Sequence, residues 1–101
     1  MLQFSTVTVN FPTTRDREQS INSFADFSGN VRSAQVAING WDVSYRDGDH
    51  HLGRMKVDSS MSNINGRRVN FTTNLLLRDF SGNIDDTYGG SVDILVIAEV
   101  A

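Results

Sequence analysis

The chain has 101 residues, 39% of them hydrophobic, with one proline, no cysteine and a formal net charge of −3. That length suits one domain with a single thin core, spanning residues 1–101. Lack of cysteine excludes disulfides and thiolate metal sites. A weakly acidic chain whose basic residues adjoin only at Arg67-Arg68 offers nucleic acid no binding stripe.

The longest apolar run, Ile94 to Ala98, is far short of the ~20 residues that span a bilayer, so no membrane insertion is expected. The polar, alternating start does not read as a signal peptide. A cytoplasmic protein, or one exported by a route that reads no signal on this chain, is the expectation.

Period-two alternation dominates from the start. Val7, Val9 and Phe11 share one face of a first strand, with Thr6, Thr8 and Asn10 opposite, and Pro12 is expected to end it. Thr13 to Ser23 reads as a polar loop or short helical turn, which Phe24 and Phe27 anchor to the core. From Ser33 onward Ala34, Val36 and Ile38 point one way, and then Trp41, Val43 and Tyr45 continue out of phase. A phase change at Asn39-Gly40 predicts a β-bulge, and the spacing makes Trp41 a core residue rather than a stacking platform.

Met55, Val57 and Met61, with Ser59 between them, mark the next strand. Asn65-Gly66 predicts a type I′ hairpin, in which both turn positions take positive φ. Val69, Phe71, Thr73, Leu75 and Leu77 then return on one face, and Gly89-Gly90 reads as a break before a last strand from Val92 to Val100. The expected fold is all-β, an antiparallel β-sandwich of about six short strands.

The last strand carries Val92, Ile94, Val96, Ala98 and Val100 on one face, yet Asp93, Leu95 and Ile97 on the other. Large aliphatics on both faces call for cover on both sides. Either the segment before Phe27 supplies it, or another subunit does. The second reading makes Asp93, Leu95 and Ile97 an oligomer interface.

Two polar segments could carry chemistry. The first holds Asp47, Asp49, His50 and His51, and the second holds Asn83, Asp85, Asp86 and Tyr88. Alternating acids around Gly48 suggest calcium, but the further ligands of a calcium loop are missing, and adjacent histidines on a strand point apart. No cofactor is expected, calcium being the one ion the acidic pattern would suit. Amide and carboxylate groups suit sugar hydroxyls, and a tyrosine ring can stack on a sugar face. If successive strands run up and down, both segments lie at one end of the sandwich and Asn65-Gly66 at the other. Converging polar loops on a rigid scaffold are a usual place for a binding site. No nucleophile motif, phosphate loop or spaced acid pair is present, so an enzyme is not expected.

The run from Phe24 through Phe27, then Val31 and Ala34-Gln35-Val36-Ala37-Ile38 with Trp41-Asp42-Val43, resembles the H-type lectin domain of snail agglutinins and discoidins. The last strand, Ser91 to Ala98, fits the same pattern. This resemblance implies a six-stranded sandwich, a homotrimer or hexamer, and a glycan as ligand. The family's aromatic-histidine pair falls on Ile84 and Asp85, and its third-strand basic residue on Arg54 or Lys56, so its galactosamine specificity is not carried over. The functional expectation is a lectin-like carbohydrate-binding module acting as a homo-oligomer. Its alternative is a structural subunit of a surface or phage-tail-like apparatus that binds no sugar.

Overall fold

Strands with one apolar row each can bury those rows only by stacking sheets face to face. The computed structural model of the chain describes residues 1–15, 18–46, 52–79 and 87–101. Its strands are β1 (Leu2–Thr14), β2 (Gln19–Asp26), β3 (Val31–Tyr45), β4 (Leu52–Asn65), β5 (Arg68–Asp79) and β6 (Tyr88–Val100). They form two antiparallel three-stranded sheets, in the orders β1-β6-β3 and β2-β5-β4. Val9, Phe11, Val92, Ile94, Val96 and Ala98 of the first sheet pack with Val69, Phe71, Leu75 and Leu77 of the second, none more than 7% exposed.

The inward rows of β5 and β6 are those the alternation predicts, including the polar exception. Thr73 is fully buried, and its hydroxyl lies 3.2 Å from that of Ser59 on β4, directly across the ladder. Two polar residues at core positions of neighbouring strands thus satisfy each other. The bulge at Asn39-Gly40 is also present, as a register shift of β3 against β6 between Ile38 and Gly40.

Several elements differ from expectation. The segment read as a loop, Thr13 to Ser23, holds the first five residues of β2, which pairs with β5 from Gln19↔Leu75 to Asp26↔Arg68. Its inward residues, Gln19, Ile21, Ser23 and Ala25, are too polar or too small to advertise a strand. Phe27 is buried as predicted, but Phe24 faces outward and is half exposed.

Pro12 does not end β1, because β1 is an edge strand and the proline sits in a register shift between Phe11 and Thr14, where its missing N–H costs no ladder bond. Irregularities thus bend strands without ending them, and strands of up to 15 residues result. At the hairpin Gly66 has φ +61° and no described non-glycine residue has positive φ. The two-residue loop is therefore Gly66-Arg67, with the positive angle at its first position, as in a type II′ turn and not a type I′.

Gly89-Gly90 does not break the chain either; it lies inside β6, the central strand of its sheet. Gly90 has φ +149°, and a Cβ there would lie 2.1 Å from the Asp42 carbonyl oxygen. Only glycine allows β3 to approach so closely.

Candidate binding site

Strand direction fixes which connections share an end. β1 ends and β2 begins, β3 ends and β4 begins, and β5 ends and β6 begins at one end of the molecule: Tyr88 pairs with both Thr14 and Tyr45, and Leu52 with Asp79. At the opposite end the Gly66-Arg67 turn accepts hydrogen bonds from Val31 and Phe27, and the chain termini pair with each other. The strand ends that bracket the two polar segments therefore stand together, away from the hairpin. Their roots are tied directly, since the Arg46 N–H donates to the Thr87 carbonyl at 2.8 Å.

Asp47, Asp49, His50, His51, Asn83, Asp85 and Asp86 lie outside the described residues. Tyr88 is described, and it corrects the expectation of a stacking ring. It is 1% exposed, and its hydroxyl donates to the Leu75 carbonyl at 3.2 Å. Alternation along β6 continues past the glycines and turns this ring inward, where it closes the core at this end of the sandwich. Trp41 departs in the opposite direction: the bulge leaves it 55% exposed rather than in the core. Among the described residues no group of three His, Cys, Asp or Glu side chains is placed to hold a metal ion.

The outer face of β2-β5-β4 carries a polar network that periodicity alone does not single out. The Ser20 hydroxyl bonds Asn74 Oδ1, and Asn74 Nδ2 donates to Asp58 Oδ1 at 2.7 Å, linking all three strands. Thr72 donates to Asn22 Oδ1 at 2.7 Å. Arg68 makes a two-pronged contact with Asp26, at 2.8 and 3.0 Å, while its guanidinium lies 3.8 Å from the Phe24 ring centre. That hydrogen bond holds the Asp26 carboxyl below its ordinary pKa.

Toward the loop end, the same sheet opens into a groove of about 450 Å³ lined by Glu18, Arg54, Lys56, Leu76 and Arg78. Lys56 pairs with Glu18 at 2.8 Å and lies 3.5 Å from Asp58; the Glu18 hydrogen bond is the main cause of its raised pKa. In the sequence, the only sign of this groove is basic residues at alternate positions, Arg54 and Lys56, with Arg78 two places after Leu76.

A second surface lies on the outer face of β1-β6-β3. Leu95 and Ile97 are part-exposed there, and their cross-strand neighbours are Thr6 and Phe4 on β1 and Ala37 and Gln35 on β3. Phe4 is 63% exposed and Leu2 54%. Asp93 shares this face and accepts a hydrogen bond from Thr8 at 2.7 Å. The segment before Phe27 does not cover Leu95 and Ile97, because β2 belongs to the other sheet. Comparison of the chain with protein-family models, with curated proteins and with solved structures gave no match.

Proposed function

We propose that this chain is a non-catalytic, lectin-like carbohydrate-binding module that works as a homo-oligomer, with the loop end as its binding end. The observation that carries the reading is that the strand ends bracketing both polar segments stand at one end of the molecule, tied by the Arg46–Thr87 hydrogen bond. Midway along the outer face of β2-β5-β4, Asn22, Asn74 and Asp58 add amide and carboxylate groups, donors and acceptors of the kind that sugar hydroxyls pair with. Oligomerisation follows from the apolar outer face of β6, where Phe4 and Ile97 stand side by side, because exposed apolar patches mark association surfaces. A trimer or hexamer would set several weak sugar sites side by side and gain affinity through multivalency.

The same apolar face would serve an assembly subunit with no sugar ligand, and the end loops separate the two roles. A glycan-array screen of the purified protein, with and without calcium, tests the proposal alongside light scattering. The expected result is an oligomer that retains a defined set of glycans. An oligomer that retains none overturns the lectin reading in favour of the assembly role.

A further inference from the structure

The groove on β2-β5-β4 is lined by three cationic side chains and one anionic one, in a chain whose net charge is −3. Lys56 is neutralised by Glu18 and Asp58. Arg54 and Arg78 stand directly opposite each other across the β4-β5 ladder, and like charges so placed repel. Among the described residues neither arginine has a carboxylate partner, and Arg78 Nε is buried without a hydrogen-bond acceptor. Leu76, on the outward side of β5, is only 5% exposed and gives the groove an apolar floor. The buried Arg78 Nε is screened less than a group on an open surface, while Arg54 is exposed. A buried donor and a repelling pair are both relieved by the same thing, an anion placed between the guanidinium groups.

We infer that the groove lined by Glu18, Arg54, Lys56, Leu76 and Arg78 binds a carboxylate or sulfate group between Arg54 and Arg78, which on the lectin reading belongs to an acidic sugar. The planar forks of Arg54 and Arg78 suit the paired oxygens of such groups. Leu76 offers a sugar ring an apolar contact, and the groove adjoins the loop end where the remainder of a glycan would extend. This inference rests on the proposed function for the sugar, while the anion site rests on the groove alone.

The test is an NMR titration that follows the Arg78 Nε–H signal and the backbone amides of β4 and β5. The probes are galactotriose, tri-galacturonate, a sulfated galactose disaccharide and sodium sulfate. Variants are Arg78→Gln and Arg54→Gln, with Arg67→Gln at the far hairpin as the charge control. We expect an acidic sugar to bind at least about tenfold more tightly than galactotriose, with the advantage lost in both groove variants, kept in Arg67→Gln and reduced by added salt. Melting temperatures should hold or rise in the groove variants, because a like-charge pair is removed.

Equal binding of neutral and acidic sugars, unchanged by Arg78→Gln, overturns the inference and leaves the lectin reading intact. Sulfate that shifts the Arg78 signal while no sugar binds keeps the anion site and overturns its assignment to an acidic sugar. No response to any probe overturns the inference, and the lectin reading then stands or falls on the glycan array.

Discussion

The Tyr88 hydroxyl on β6 reaches across the sandwich and donates to the Leu75 carbonyl on β5, joining the central strands of the two sheets. Both residues are fully buried, so the bond lies where an unmade partner is costly. Tyr88→Phe is expected to lower unfolding free energy by ~1 kcal/mol, and Tyr88→Ala by ~3–5 kcal/mol through the cavity left behind. Urea denaturation measures both. Tyr88→Phe should leave glycan binding unchanged, since the ring presents no face to solvent; a variant that folds normally but loses sugar would return Tyr88 to the binding site.

The glycine positions make a paired prediction. A Cβ at Gly90 would overlap the Asp42 carbonyl, and its φ of +149° disfavours any L side chain. Gly90→Ala is expected to cost at least ~2 kcal/mol, because backbone must shift on two strands. At the Gly40 bulge a Cβ would have no atom within 4 Å and φ is not positive. Gly40→Ala should therefore be neutral or stabilise by ~0.5 kcal/mol. Thermal melts of the two variants would contradict this account if Gly40→Ala proved the more damaging.

Much of the fold is legible because core packing writes itself as alternation. The rows Val69 to Leu77 and Val92 to Val100, the bulge at Gly40 and the presence of a hairpin beside Gly66 could be read directly, since each is a local property of the chain, although the turn itself is one residue further on. What escaped reading depends on partners distant in sequence. Strand β2 is hidden because its inward positions hold Gln19 and Ser23. Tyr88 takes its direction from strand pairing that carries through Gly90. Trp41 sits at core spacing but is turned out beside the bulge. The cationic groove arises only when Arg54 and Arg78, 24 positions apart in the sequence, are brought opposite by the β4-β5 register.

The Asp26–Arg68 pair predicts a titration. Its hydrogen bonds lower the Asp26 pKa in the folded state. A depressed carboxylate contributes stability that is fully present above its unfolded pKa and is lost as pH falls through the folded value. Side-chain carboxyl NMR should show Asp26 titrating below the ordinary aspartate range, and Arg68→Gln should move it up. Phe24→Ala, which removes the ring beneath the guanidinium but not the salt bridge, should move it less. An Asp26 pKa that ignores Arg68→Gln would show that the pair does not persist in solution.

The outer face of β6 carries the last prediction. Phe4 and Ile97 are cross-strand partners, Leu95 lies two residues along, and all three point away from the core. Charging this face should disrupt association without unfolding the subunit, because no core contact is lost. Ile97→Asp and Phe4→Asp are each expected to convert an oligomer at micromolar concentration into a monomer by light scattering, with the β-sheet circular dichroism retained. Thr8→Ala, which removes the hydroxyl bonded to Asp93, should leave the mass unchanged because it adds no charge to the apolar row. Cross-strand neighbours on one face form a continuous patch, so Ile97→Asp and Phe4→Asp should act equally and their combination should add little. An unmodified chain already monomeric at these concentrations would remove the oligomer from the proposed function and leave the apolar row without a partner of its own kind.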